Sequence, residues 1–403
     1  MKQMEGGVCA AKGYKAAGIY CGIRKNKSKK DLALIVSETR AACACVYTQN
    51  LVKGAPIAVT KANVADGYAC AIICNSGNAN TCNANGVEIA EAMCNLLGAA
   101  LNIPASDVVV ASTGVIGKTL EIEPIASGIP LVIQSLGDDS DGAASAIMTT
   151  DLKKKEIAVE FSVGTTVCKI GGIAKGSGMI QPNMATMLGF VTTDAAISPA
   201  MLQKALSADI LDSFNMVSVD GDTSTNDMVT ILANGMAGNK EITAQGADYD
   251  AFCAALSVVT QYLSRSIAGD GEGASKLLVC TVSGAIDTAG AKKLAKSVIN
   301  SPLVKCAMFG ADANWGRILC ALGYAGVAVD VTKVGVGFSS AAGEIEVCKD
   351  GAGVDFSEEL AKTVLSESEI TISVTLGDGD ANATAFGCDL TYDYVKINGD
   401  YRT

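Results

Sequence analysis

Short runs of β-branched and small apolar residues recur along this chain, and some stop abruptly at a cluster of glycine, asparagine, serine or aspartate. Tyr68 to Cys74 runs into Asn75-Ser76-Gly77-Asn78-Ala79-Asn80, and Asp107-Val108-Val109-Val110-Ala111 runs into Ser112-Thr113-Gly114-Val115-Ile116-Gly117-Lys118-Thr119. Such runs read as buried strands closed by polar turns. Asp31 to Val36, Ala42 to Thr48, Lys276 to Ser283, Val334 to Phe338, Glu344 to Cys348 and Ile370 to Leu376 read the same way, and residues 156 to 174 read as a hairpin turning at Gly164-Thr165. Helical spacing lies between them. Ile89, Met93, Leu96, Leu97 and Leu101 make one face of Gly86 to Leu101. Ala143 to Met148, Tyr249 to Ile267, Gly290 to Ile299, Trp315 to Leu322 and Ser357 to Leu365 also read as helices, and Ser198-Pro199 opens one that reaches about Leu211, with Ser198 able to cap it. The tail from Asn382 reads as polar and compact. The expected class is α/β or α+β, with mixed β-sheets flanked by helices.

The 403 residues hold 43 glycines and only 7 prolines, which suits many tight connections between strands and helices. With 49% hydrophobic and 18% charged residues the chain can bury a large core. Net charge is −11, and no basic run exceeds Lys153-Lys154-Lys155, the wrong balance for a nucleic-acid binder. The first residues lack a signal-peptide core, and no apolar run approaches the ~18 residues of a membrane span. A cytoplasmic location is expected. The 15 cysteines are scattered without a Cys-x-x-Cys pair, and they read as small buried hydrophobes in a reducing compartment, not as metal ligands.

There is no histidine. That removes Ser-His-Asp and Cys-His catalysis and the histidine-based zinc hydrolases. A base must come from a carboxylate, a lysine, a terminal amine or water. Lys175-Gly176-Ser177-Gly178-Met179-Ile180-Gln181-Pro182-Asn183-Met184-Ala185-Thr186-Met187-Leu188 offers one self-contained solution. If the bond between Ala185 and Thr186 is cut, Thr186 gains an α-amine of pKa ~7.7–8.0 that can activate its own hydroxyl. The residues alone equally allow Thr186 to be the start of a strand. Ser112 to Thr119 resembles a phosphate-binding loop at Gly117-Lys118-Thr119, but serine stands where the first glycine belongs. The same stretch could form an oxyanion hole or an ordinary turn. Asp220, Asp222 and Asp227 do not have calcium-loop spacing, and they read as a solvated or hydrogen-bonded loop. Glu272, in Gly269-Asp270-Gly271-Glu272-Gly273, reads either as a surface carboxylate or as a proton shuttle.

Lys175 to Leu188 resembles the signature of the ornithine acetyltransferase family of arginine biosynthesis, also called glutamate N-acetyltransferases. The likeness extends to Lys12 to Gly18, Lys30 to Ile35, Asn75 to Asn80, Ser112 to Gly117, Thr149-Thr150-Asp151, Val219 to Asp227, Gly269 to Ala274, Asp312 to Arg317 and Asp393 to Asn398. It covers nearly the whole chain. Ser275 stands where threonine is common in the family, and it keeps the hydroxyl.

The resemblance implies a layered sandwich fold and autocatalytic cleavage between Ala185 and Thr186. Fragments 1–185 and 186–403 would then share one active site. It implies Thr186 as nucleophile, Thr113 and Gly114 as the oxyanion hole, and Glu272 at the substrate amine, assisting proton movement. Thr150, Lys175, Asn398 and Thr403 would complete the substrate pocket. The implied reaction moves an acetyl group from N-acetylornithine to glutamate through acetyl-Thr186, with acetyl-CoA as a second candidate donor. No metal or organic cofactor is called for. Two copies of each fragment would form a heterotetramer. Two other readings share parts of these features: an autoprocessed aminopeptidase using the same nucleophile, and a nucleotide-binding protein using residues 112–119.

Overall fold

The computed structural model describes residues 1–181 and 187–399. Among these, nine strands form the first sheet: β1 (Lys2–Met4), β2 (Tyr14–Ile19), β3 (Leu32–Tyr47), β4 (Tyr68–Asn78), β5 (Val108–Val115), β6 (Lys155–Val163), β7 (Thr166–Lys175), β8 (Leu188–Thr193) and β9 (Met228–Ala233). Their order is β1-β6-β7-β8-β9-β3-β4-β5, with β2 also pairing to β3. The second sheet has β10 (Leu277–Ala285), β11 (Gly335–Ser340), β12 (Gly343–Lys349), β13 (Ala352–Gly353), β14 (Glu369–Thr375) and β15 (Ala381–Cys388), in the order β13-β12-β11-β14-β10-β15. Both sheets are mixed. β4 with β5, β8 with β9 and β10 with β14 run parallel, and the other pairs run antiparallel.

The helices are α1 (Ala55–Asn63), α2 (Gly86–Leu101), α3 (Glu123–Gln134), α4 (Ser140–Ile147), α5 (Pro199–Asp209), α6 (Ala247–Gly269), α7 (Thr288–Asn300), α8 (Pro302–Phe309), α9 (Trp315–Gly323), α10 (Glu358–Leu365) and α11 (Tyr392–Asn398). They cover the sheets in layers. Val108 and Val110 of β5 pack with Met93 and Leu97 of α2 and Ile125 and Ile129 of α3. Val109 and Ala111 point the other way, into a core with Ala143 and Ile147 of α4. A strand buried on both faces explains why Val108 to Ala111 is apolar throughout rather than alternating. A third core packs α5 and α6 on β6 to β9, and a fourth packs α7, α9 and α10 on the second sheet.

Several elements differ from the sequence reading. Asp31 to Val36 and Ala42 to Thr48 belong to one strand, β3, whose pairing with β4 shifts register between Val36 and Ala41. Asn75 to Asn78 continue β4 instead of turning. Their side chains are buried and bonded, with Ser76 Oγ donating to Ala146 O and Asn78 Nδ2 to the carbonyls of Lys118 and Thr119. Ser198 precedes α5 without a side-chain cap bond. The cysteines are all free. Those in strands are mostly buried, with the Cys74 and Cys280 thiols pushed up to about 12 by burial, but Cys82, Cys306 and Cys320 are exposed. Among the described residues no helix is long and apolar enough to cross a membrane.

Candidate active site

A cavity of about 360 Å³ opens where β4, β5 and β7 end and the loops after α6 and before β9 meet. Thr113, Gly114, Thr149, Thr150, Lys175, Glu272 and Asn398 all line it. Thus six of the residues named from sequence converge, although they span the chain from position 113 to 398. Ala185, Thr186 and Thr403 lie outside the described residues. Thr149, the neighbour of the expected Thr150, lines the cavity as well.

Each side chain is delivered by a local device. Thr113 and Gly114 stand at the end of β5, still within the strand and not in a turn after it. Gly114 has φ +133°, and a Cβ there would lie 2.4 Å from the carbonyl carbon of Gly77 on β4. Only glycine fits that crossing. Ser112, one residue earlier, is buried and donates to Asn75 Oδ1 at 2.6 Å. The phosphate-loop reading fails here. No helix opens at Gly117-Lys118-Thr119, since α3 starts at Glu123, and the Lys118 and Thr119 carbonyls are used by Asn78.

Lys175 ends β7 and is buried, and its Nζ donates to Thr113 Oγ1 at 3.4 Å. Burial lowers the affinity of this amine for its proton, while Asp151, Asp227 and Glu272 work in the opposite direction. The net shift is downward. Below it lies an ion cluster that the sequence did not disclose. Lys155, 1% exposed, donates to Asp151 Oδ1 at 2.7 Å and to Asp270 Oδ2 at 2.6 Å. Asp151 also accepts from Gly176 N at 2.7 Å and Thr149 N at 3.0 Å, and Asp270 accepts from Leu152 N and Lys153 N at 3.1 Å. Burial opposes ionisation of Asp151. The charges of Lys155 and Lys175 and these bonds outweigh it and hold the carboxyl well below the usual range. The cluster ties the starts of two cavity loops to the end of α6. The available signal was weak: in the sequence Lys155 is only the last of three consecutive lysines.

Glu272 is not a surface carboxylate. It is 8% exposed, its N–H donates to Ser177 O at 2.9 Å, and its Oε2 accepts from Asn398 Nδ2 at 2.8 Å. The acidic loop at Asp220 is a hydrogen-bonded brace, one of the two forms expected. The Asp220 carboxylate accepts from Met179 N at 2.6 Å and Ile180 N at 2.8 Å, fixing the segment after Lys175. Burial raises the pKa of Asp220. Ser224, Thr225 and Asn226 from the same loop also line the cavity, and the sequence reading gave none of them a role.

The site therefore combines a buried ammonium, a hydroxyl and glycine backbone at a strand end, and a carboxylate held by an amide. That set can grip a small amino-acid-like molecule and stabilise negative charge on a carbonyl oxygen.

Comparison with known proteins agrees. The profile of the ArgJ family matches residues 15–403. The chain is similar to the arginine biosynthesis bifunctional protein ArgJ of Caldanaerobacter subterraneus subsp. tengcongensis, at 48% identity over 405 residues and 100% of both chains. It is similar to that of Bacillus subtilis at 45% identity, over 100% of this chain and 98% of the other. Among solved structures, the arginine biosynthesis bifunctional protein ArgJ from Bacillus halodurans aligns with a TM-score of 0.50 and 46% identity, covering 52% of this chain and 97% of that one. On a family match that spans nearly its whole length, supported by relatives aligned from end to end, this chain belongs to the ArgJ family.

Proposed function

We propose that this chain is the ornithine acetyltransferase of arginine biosynthesis, a glutamate N-acetyltransferase, and that it works as an autoprocessed N-terminal-threonine enzyme. The observation that carries the proposal is the convergence of Thr113, Gly114, Thr150, Lys175, Glu272 and Asn398 on one cavity in a chain 45–48% identical, over its full length, to bifunctional arginine-biosynthesis proteins.

The Thr186 hydroxyl attacks the Ala185 carbonyl, and hydrolysis of the resulting ester frees fragments 1–185 and 186–403. In turnover, the new α-amine takes the proton of the Thr186 hydroxyl. The hydroxyl oxygen attacks the acetyl carbonyl of N-acetylornithine. The C–N bond breaks, and ornithine leaves as the amine after taking up a proton, with Glu272 assisting. Glutamate's amine then attacks acetyl-Thr186, the C–O bond breaks, and the threonine oxygen regains its proton. Both steps pass through a tetrahedral oxyanion, which Thr113 and Gly114 stabilise. Lys175 pairs with the substrate carboxylate, and Thr150, Asn398 and Thr403 complete the pocket. Acetyl-CoA is the second acetyl donor, consistent with the word bifunctional in the relatives' names. The solved Bacillus halodurans chain corresponds to about half of this one, which is the size expected of a single fragment. The working assembly is two copies of each fragment, in the cytoplasm.

The test is an acetyl-transfer assay that follows ornithine and N-acetylglutamate, run in parallel with acetyl-CoA as donor and with an assay for peptide or acetyl hydrolysis. The wild type is expected to run as two bands on a denaturing gel and to transfer acetyl without net hydrolysis. Thr186→Ala is expected to stay uncut and inactive. An intact, active Thr186→Ala chain overturns the mechanism, and hydrolysis without transfer favours the aminopeptidase reading.

A further inference from the structure

We infer that Asn226 is a positioning residue of acyl transfer, whose side-chain amide sets the orientation of the Thr113–Gly114 segment. This rests on the reading of that segment as the oxyanion hole. Asn226 lies at the end of the loop from Val219 to Asp227, is 7% exposed and lines the cavity. Its amide makes four bonds. Nδ2 donates to Ala79 O at 2.5 Å and to Ser112 O at 3.0 Å, while Oδ1 accepts from Thr81 Oγ1 and from Thr225 Oγ1, both at 2.5 Å. Backbone carbonyls only accept, so the chemistry leaves one orientation for the amide.

Both bonds reach the expected oxyanion hole, one at Ser112 directly and one by way of Ala79. The Ser112 C=O and the Thr113 Cα belong to one planar peptide, so anchoring that carbonyl fixes the position from which the Thr113 hydroxyl and the Gly114 N–H extend. On the far side, Ala79 N donates to Val115 O at 2.9 Å, and Ala79 O ends on the same Asn226 amide. Thr113 and Gly114 therefore sit between two anchored carbonyls, one bound to Asn226 directly and one through Ala79. Every partner except Thr225 precedes the proposed cut, while Asn226 follows it. The amide thus spans from one fragment to the other at the point where charge must be stabilised.

A group that orients an oxyanion hole acts on the transition state and not on ground-state binding, so it moves kcat and leaves KM. Asn226→Asp is nearly isosteric but presents oxygens where the two N–H donors were. Per cleaved chain, kcat for N-acetylornithine-to-glutamate transfer is expected to fall about 10- to 100-fold, below the ~10²–10³-fold of losing a donor outright. KM for N-acetylornithine and ornithine binding by calorimetry are expected to hold within about twofold on the same grounds. Combined with Thr113→Ala, the loss is expected to be clearly less than the product of the two single losses, because Asn226 acts in part by placing the hydroxyl that Thr113→Ala removes. Thr81→Val, which removes one bond to the amide oxygen, is expected to give a smaller fall in kcat at unchanged KM. An unchanged kcat, a change confined to KM, or multiplicative losses in the double variant overturns the inference. If Asn226→Asp does not fold, Thr81→Val decides, and an unchanged kcat in that variant overturns it. Absence of transfer by the wild type instead overturns the functional reading on which the inference rests.

Discussion

Glu272 reaches the cavity because Gly178 has no side chain. A Cβ at position 178 would lie 2.3 Å from the carboxyl carbon of Glu272 and 2.3 and 2.5 Å from its two oxygens. The neighbour in the way is the far end of a flexible side chain, so the fold can yield by moving the carboxylate. Gly178→Ala is therefore expected to leave the melting temperature nearly unchanged, while breaking the bond from Asn398 and displacing Glu272 by about an ångström. Misplacement of that size costs on the order of 10²-fold, and kcat/KM for acetyl transfer is expected to fall accordingly. Steady-state kinetics beside a thermal melt checks this, and wild-type kcat/KM in the variant would show that the Glu272 position does not matter. In sequence Gly178 reads as one turn former among several. Its actual constraint is clearance for a carboxylate far along the chain, which no local pattern encodes. Thr113, Gly114, Lys175 and Glu272 were legible because their flanking motifs are long. Asn226 and Lys155 were not, because what they bind is set by which carbonyls and carboxylates the fold brings to them.

At the scale of elements, the ion cluster of Lys155, Asp151 and Asp270 joins the start of β6, the end of β7 and the end of α6. Removing one partner of a buried ion pair leaves an uncompensated charge, at a cost of about 3–5 kcal/mol. Lys155→Met leaves two carboxylates without that ammonium, and a loss of this size is expected in urea unfolding at neutral pH. The pH dependence has a definite sign. Asp151 is held below its unfolded value of ~3.9, so its contribution is present above that pH and is lost as pH falls towards the folded pKa. The gap between wild type and Lys155→Met should therefore narrow on acidification below about pH 4. A gap that stays constant or widens there would mean that the cluster does not hold Asp151 ionised. Elements hidden from the sequence reading have equally physical reasons. α3 carries Pro130 in its interior, which reads as a helix breaker, and α1 opens with Pro56 and has a weak apolar stripe. β15 alternates small and polar residues, Ala381-Asn382-Ala383-Thr384-Ala385, and is a strand because β10 pairs along its length. The described part of the tail expected to be polar and compact is this strand followed by α11.

At the scale of the molecule, the proposed cut between Ala185 and Thr186 falls between β7 and β8, which pair antiparallel from Ile170 with Thr193 to Lys175 with Leu188. β8 and β9 follow the cut, yet they occupy the middle of the first sheet. β7 flanks β8, and β3 flanks β9. Taking them away would divide the strands of residues 1–185 into a β1-β6-β7 group and a β2-β3-β4-β5 group with no ladder between them. It would also leave Val159 and Ile170 without Leu256, Val259 and Leu263 of α6, which follow the cut and share their core. Unpaired central strands expose their backbone groups and a continuous apolar face, so neither fragment should hold this fold alone. The two fragments are therefore expected to co-elute from size-exclusion and affinity columns under native conditions and to separate only in denaturant. Residues 1–185 expressed alone are expected to be insoluble or to lack a cooperative melt. Recovery of a soluble 1–185 fragment with a sharp unfolding transition would show that the central strands are dispensable, and would break the link between cleavage and a single shared site.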